Sequence, residues 1–445
     1  MLTWIRGIRH RIQQSPGASR FLAGASWSTG GVILASATSL AAAILVARAL
    51  GKDIYGQYIV VQTTITTAGV FAAFGIGTTA TKYVAELKDR NPYRLAKILG
   101  ISQRLTLIFS LVTVAGLVIT SPFIAGSVLN TPHITVPLSL AAISVLFVTL
   151  DAFQKSVLIG VGAMKSFAVT TVAGSAMAFF IVTAATYYFG LIGAASGLSA
   201  AAFAQYLISR ASMNGRLRAL SLKVGSQDIW SEWRVIRDFA LPAMIAGMLV
   251  GPAHWACQAL LANQPNGYSE VAILGVAMQW FNVVTLLPAI GARVLLPLLT
   301  ESFVSGRHDQ SALVIKLAVA SNLLIVIPIV AGLVALSPRI LAAYGPEFST
   351  GGTTLTVTAL VAALVVAVMP VGQTLAAEGK MWLGAGMNIG WAAIYLGSAV
   401  IFIQNGSLGI AYALGIAYLC HSVWAGIFAI RHIRRVEVQI SEQKD

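Results

Sequence analysis

The sequence from Ala47 to Glu86 reads ARALGKDIYGQYIVVQTTITTAGVFAAFGIGTTATKYVAE. It contains the end of one apolar segment, a short turn with Gly51, Asp53 and Tyr55, and a second apolar segment that closes on charged residues. The second segment exceeds the roughly 20 residues that a helix needs to cross the hydrocarbon core of a bilayer. The stretch therefore predicts two membrane-spanning helices joined by a tight turn.

A faint copy of this stretch occurs in the second half of the chain. The segment Glu270–Glu301, EVAILGVAMQWFNVVTLLPAIGARVLLPLLTE, has the length of Tyr55–Glu86 and also ends on a glutamate. A second pair of stretches keeps nearly the same offset along the chain, with Gly162, Gly190 and Gly193 falling opposite Gly379, Gly406 and Gly409. Two halves with one plan are typical of membrane transporters.

The composition places most of the chain in lipid. Of its 445 residues, 57% are hydrophobic and only 10% are charged, whereas about 25% of the residues of a soluble domain are charged. The apolar segments predict an all-α polytopic membrane protein with about twelve transmembrane helices. Cys257 and Cys420 both lie in apolar runs, so no disulfide framework is expected.

The predicted spans divide the chain into five parts. In order, we expect a basic interfacial helix at 1–23, six spans within 24–211, a cytoplasmic linker at 212–238, six further spans within 239–430, and a cytoplasmic tail at 431–445.

The net charge of +14 follows the predicted topology. Most of the lysines and arginines fall at the span ends of one side, whereas the opposite joins hold only Lys52 and Arg339, with Arg48 at the membrane edge. This bias predicts that both termini are cytoplasmic. It also argues against nucleic acid as the partner of the basic residues.

Enzyme motifs are absent from the sequence. The nearest approach to a phosphate-binding loop, residues 160–166, lacks the glycine before its lysine, and there is no HExxH, CxxC or GxSxG motif. We therefore expect a protein that is not an enzyme and that uses no cofactor and no metal ion.

Polar residues within spans are costly in lipid and indicate function or pairing. In the eighth predicted span, Gln279, Asn282 and Arg293 share one helix face. The functional interpretation is a cationic contact for an anionic substrate, and the alternative is an arginine whose head group reaches the membrane surface.

The fourth predicted span carries Asp151 and Lys155, one helical turn apart. They form either a structural ion pair or a site at which Asp151 binds a coupling ion while Lys155 tunes its charge.

Arg48 is either an interfacial anchor or a ligand contact at the outer mouth. His254 and Gln258 could shuttle protons, although a hydrogen-bonded pair in the core is the simpler interpretation.

Five segments of the sequence resemble those of a known family. The segments ARALGKDIYGQY, FGIGTTATKYVAE, LLANQPNGYSEVAILGVAMQW, LLPAIGARVLLPLLTE and GPEFSTGGTTLTVTALVAALVV are similar to O-antigen-type polysaccharide flippases of the MATE-like (MOP) flippase superfamily. The likeness covers almost the whole chain. It implies two six-helix bundles, within 24–211 and 239–430, that form a V around a central cavity.

The resemblance also implies a function in the bacterial cytoplasmic (inner) membrane. A polyprenyl-diphosphate-linked oligosaccharide would move from the cytoplasmic to the outer leaflet for surface polysaccharide synthesis, with a glycan polymerase or glycosyltransferases as candidate protein partners. The expected cavity is cationic, with Arg293, Arg48 and Lys155 as its candidates. At Lys52-Asp53-Ile54 the chain departs from the Pro-Glu that the family often shows before Tyr-Gly.

Two rival classes remain. A cation-coupled multidrug exporter of the same superfamily needs buried carboxylates, and Asp151 is the one convincing deep carboxylate in the sequence. A polysaccharide polymerase or ligase usually brings a large outer loop with catalytic Arg or His, whereas the outer joins predicted here are short.

Overall fold

The computed structural model describes residues 16–222, 224–225, 229–235, 237, 248–304, 308–378 and 380–442. All regular secondary structure in these ranges is helical, which confirms the predicted fold class. The long helices are α1 (Pro16–Leu50), α2 (Lys52–Ala73), α3 (Ile76–Leu87), α4 (Pro92–Phe123), α5 (Thr135–Val161), α6 (Met164–Ala219), α7 (Val250–Ala262), α8 (Gly267–Val304), α9 (His308–Tyr344), α10 (Gly352–Ala377), α11 (Met381–Phe402) and α12 (Gly406–Glu442).

Length and apolar composition give 8 helical segments that could cross a membrane within these ranges, or up to 9 if the bent pair α2 and α3 is one span. Two of the segments are too long for one crossing. The α6 helix has 56 residues, which would extend roughly 80 Å if straight, against a hydrocarbon core of about 30 Å. The helices α11 and α12 are separated only by a short turn at Ile403–Asn405. Each of these segments therefore contains two crossings.

The two ends and the middle of the chain are only partly covered. Residues 1–15 of the expected interfacial helix lie outside the described residues, and α1 is already helical from Pro16. The seventh predicted span begins in the undescribed residues 238–247 and continues as α7. The domain limits given above remain predictions.

The chain forms two compact units. Unit 1 comprises Met1–Ala43, Ile65–Pro122 and Thr135–Gly247, and unit 2 comprises Ile44–Thr64, Phe123–Ile134 and Met248–Asp445. Two early segments, 44–64 and 123–134, therefore belong with the second half of the chain. The contacts of the first of these segments form the candidate site below.

The internal repeat is visible as a backbone corner within each unit. Gly190 breaks α6 with φ 57° and ψ −136°, and Gly406 has φ 63° and ψ −142° at the start of α12. Three residues later, a Cβ on Gly193 or on Gly409 would lie 1.9 Å from a carbonyl oxygen of the preceding crossing. Glycine alone reaches this backbone geometry without strain and allows so close an approach, which explains the glycine pattern shared by the two halves.

Part of the expected linker is packed on unit 1. Leu222 and Val235 belong to the same buried cluster as Leu95 and Ile98 of α4. Arg94 at the start of α4 forms an ion pair with Glu232 at 3.0 Å. The linker is thus attached to the first turns of α4 by both apolar and charged contacts.

Candidate functional site

Arg48, at the end of α1, binds the end of another helix. Its Nε donates to the carbonyl oxygen of Ala343 at 2.6 Å and its Nη2 to that of Ala342 at 3.5 Å. These carbonyls lie in the last turn of α9, where helix carbonyls lack intrahelical partners and the helix dipole is negative. The guanidinium that the sequence suggested as a ligand contact therefore has a structural partner in unit 2.

Gln279 lies next to this contact and is also engaged. Its Nε2 donates to the hydroxyl of Tyr55 at 2.8 Å, and the hydroxyl of Tyr344 donates to its Oε1 at 3.0 Å. Tyr55 and Tyr344 are 0% and 1% exposed. Because Tyr344 directly follows Ala343, the structure brings two of the predicted site residues, Arg48 and Gln279, to the same helix end.

The turn between α1 and α2 completes this set of contacts. The backbone N–H of Lys52 donates to a carboxylate oxygen of Glu347 at 3.0 Å, and Gly56 lies so close to Tyr268 that a Cβ would meet its carbonyl oxygen at 1.8 Å. We call the contacts of residues 48–56 with α8, α9 and Glu347 the anchor. The roles of Tyr55, Tyr344 and Glu347 were not predicted from the sequence, although Tyr55 lies in the turn that follows the first apolar segment.

Asn282 and Arg293 are the other two candidate site residues on α8. Asn282 is exposed, one turn beyond Gln279. Arg293 lies further along the helix, but its side chain is outside the part of the structure that is described. Whether the side chain of Arg293 lies on the same helix face as Gln279 and Asn282 therefore remains a prediction.

Asp151 and Lys155 form an ion pair within unit 1. The Lys155 Nζ is 3.0 Å from Asp151 Oδ2, and the Ser209 hydroxyl donates to the other carboxylate oxygen. Asp151 is 8% exposed. Both carboxylate oxygens thus have a partner, one of them from the crossing of α6 that follows Gly190. This geometry fits the structural pair, one of the two interpretations of these residues.

A cluster of aromatic and histidine rings in unit 2 was not anticipated from the sequence. The ring of His254 lies 5.2 Å from that of Tyr395 and 5.6 Å from that of Trp391, whose ring is 5.3 Å from that of Tyr418. Gln258 instead accepts a hydrogen bond from Thr63 at 2.8 Å. His254 and Gln258 therefore have different partners. The spacing of Trp391 and Tyr395, one turn apart on α11, was the available signal.

Replacing Gln279 by leucine should destabilise unit 2 because it leaves two buried tyrosine hydroxyls without their partner. We expect a loss of about 2 kcal/mol, since each unsatisfied buried polar group costs on the order of 1–3 kcal/mol. Thermal unfolding of the purified protein in detergent measures the effect. Asn282→Leu, on the same helix with an exposed side chain, is the matched control, and equal melting temperatures of the two variants would contradict the structural role of Gln279.

Comparison with known proteins gives the family. The polysaccharide biosynthesis protein family matches residues 21–303 of the chain. A relative from Ralstonia solanacearum, the EPS I polysaccharide export inner membrane protein EpsE, is 27% identical over 203 residues. Its counterpart from Ralstonia nicotianae is 28% identical over 198 residues. Each alignment spans 42% of this chain and 44% of the relative, less than half of either protein.

Solved structures share the fold over nearly the whole chain. An inward-facing multidrug resistance MATE family transporter of the MOP superfamily matches 91% of this chain and 95% of its own, with a TM-score of 0.77 and 14% identity. A MOP superfamily transporter from Pyrococcus furiosus matches 96% of this chain and 98% of its own, with a TM-score of 0.70 and 14% identity. The chain therefore belongs to the polysaccharide biosynthesis protein family, and it shares the fold of MATE family transporters.

Proposed function

We propose that the protein is a flippase that moves polyprenyl-diphosphate-linked oligosaccharides from the cytoplasmic to the outer leaflet of the inner membrane. The observation that carries the proposal is the combination of a transporter fold with a family match in polysaccharide biosynthesis. The relatives are named as inner membrane polysaccharide export proteins, which supports an exported glycan as cargo. Both termini are cytoplasmic in this proposal, as the distribution of lysine and arginine indicates.

The substrate head group is contacted first by Arg293 in this proposal. Arg48 and Gln279 already have structural partners, and Lys155 is paired with Asp151. Arg293 provides a planar donor suited to a diphosphate, and Asn282 offers an exposed amide on the same helix. Lys155 reaches the substrate only if its pairing with Asp151 is exchanged for a phosphate.

Transport proceeds by alternating access, in which the substrate cavity opens to one side of the membrane at a time. Outward transport is driven either by an ion gradient or by consumption of the glycan by an outer-leaflet polymerase or glycosyltransferase. In the first case, Asp151 is the residue that exchanges Lys155 for a coupling ion.

Cells that lack the protein provide the test. With a radiolabelled sugar, lipid-linked oligosaccharide should accumulate in the cytoplasmic leaflet, and the wild-type gene should relieve the accumulation. Arg293→Ala should restore export about tenfold less well, because a charge-assisted hydrogen bond contributes about 1.5–3 kcal/mol, whereas Arg293→Lys should retain part of it. Protein levels in the membrane control for expression.

Two outcomes would contradict the proposal. Normal surface glycan together with raised sensitivity to cationic dyes would favour a cation-coupled multidrug exporter. Full export by the Arg293→Ala variant at a normal protein level would show that Arg293 does not contact the head group.

A further inference from the structure

An apolar groove runs between α1 and the first crossing of α6 in unit 1. It encloses about 610 Å³ and is lined by residues that include Trp27, Gly30 and Leu34 of α1 and Val169 and Val172 of α6. This volume lies within the range of about 300–1,000 Å³ that is typical of small-molecule sites. The groove is thus large enough for a specific ligand.

Two adjacent glycines explain why the groove is there. A Cβ on Gly31 would lie 2.9 Å from both Cα and Cβ of Ala168, so the two helices touch at this level. A Cβ on Gly30 would meet no atom within 4 Å. The groove is therefore held open beside a tight helix contact, and Leu34 and Val169 on its walls are each 53% exposed.

Two cations lie close to the start of α6, and one of them is beside the groove. The Lys165 ammonium is 5.4 Å from the centre of the Trp27 ring, which lines the groove. Arg216 Nε donates to the hydroxyl of Ser166, the next residue, at 2.9 Å. An apolar groove with cationic groups nearby matches a long-chain lipid with an anionic head group.

Resting on the proposed function, we propose that this groove binds the polyprenyl chain of the lipid-linked substrate, with its diphosphate at Lys165 and Arg216. The two phosphoryl groups of a diphosphate can contact both cations at once, whereas the phosphodiester of a phospholipid offers a single charge. The groove thus selects the carrier lipid next to the membrane surface. This site consists of residues of unit 1 alone, whereas Arg293 belongs to unit 2.

Photolabelling of the full-length protein in phosphatidylethanolamine nanodiscs tests the site. The probe is a polyprenyl diphosphate with a diazirine in its chain, and labelled peptides are mapped by mass spectrometry. We expect label at Leu34 and Val169 that unlabelled polyprenyl diphosphate removes and phosphatidylglycerol does not. Gly30→Leu fills the open space and should reduce labelling about tenfold. Gly116→Leu, at another glycine whose Cβ would meet no atom within 4 Å, should label like the wild type.

The two cations are tested separately. Lys165→Gln combined with Arg216→Gln should reduce labelling by the diphosphate probe about tenfold and leave labelling by a neutral polyprenol probe unchanged. Equal competition by phosphatidylglycerol, or undiminished labelling of Gly30→Leu, would overturn the groove as a carrier-lipid site.

The export assay separates this site from the proposed function. If the wild type exports glycan but its groove takes no label, the groove proposal alone fails. If the groove labels as expected but the wild type does not relieve the accumulation, the site stands and the flippase proposal fails.

Discussion

An Asp151→Ala variant should be strongly destabilised, by about 3–5 kcal/mol, because it leaves the Lys155 ammonium without its partner in a largely buried place. The carboxylate is 3.0 Å from that ammonium and also accepts from Ser209. Only 18% of the Lys155 side chain is accessible, so water replaces the lost partner poorly. Thermal unfolding in detergent, together with protein yield in the membrane, measures the loss.

A double variant distinguishes a structural pair from a coupling site. Asp151→Asn combined with Lys155→Met removes both charges, and we expect it to regain most of the stability that Asp151→Ala loses. If the pair is structural, the double variant should also export glycan. A stable double variant that no longer exports would instead assign a role in transport to Asp151 or Lys155, and Asp151→Ala with wild-type stability would refute the importance of the pair.

Gly56→Leu should separate α2 from α8 and cost about 3 kcal/mol or more. A Cβ at this position would lie 1.8 Å from the carbonyl oxygen and 2.6 Å from the carbonyl carbon of Tyr268, both of them backbone atoms. A flexible side chain could move aside, but a helix backbone can yield only by shifting the helix. The anchor contacts of Arg48 and Tyr55 should weaken in the same variant, since they depend on the same close approach.

Gly69→Leu provides the matched control because Gly69 lies on the same helix and its Cβ would meet no atom within 4 Å. Both variants make the same chemical change, so only the difference in packing separates them. We expect a melting temperature near that of the wild type for Gly69→Leu and a large decrease for Gly56→Leu. Similar decreases in both would show that the contact with Tyr268 does not set the cost, since leucine has a higher helix propensity than glycine.

Several features could be predicted from the sequence because they depend on residues close together in the chain. Hydropathy over segments of membrane length predicted the helices, and the glycine spacing predicted an internal repeat, in which Gly190 and Gly406 form corresponding corners. The pairing of Asp151 with Lys155 was one of two interpretations of their spacing, since one helical turn brings such side chains together. In each case the relevant partner lies within one helix or one turn.

The partners of the other candidates could not be predicted in this way. Arg48 binds Ala343, and Tyr55 binds Gln279, residues that are far apart in the chain and unrelated by any helical period. From sequence, an arginine at a membrane edge is compatible with a snorkelling head group, a ligand contact or a helix cap. Which of these forms depends on the helix end that lies beside it.

The sequence by itself determined that this protein is a helical membrane protein with two related halves, because burial in lipid and backbone hydrogen bonding act on each segment separately. Only the tertiary structure decided that segment 44–64 belongs with unit 2, that Gln279 bridges two tyrosines, and that a groove opens beside Gly30. These features depend on the distances between neighbouring helices, to within the size of a single atom. Such distances depend on the packing of all the neighbouring side chains at once, and no local pattern contains that information.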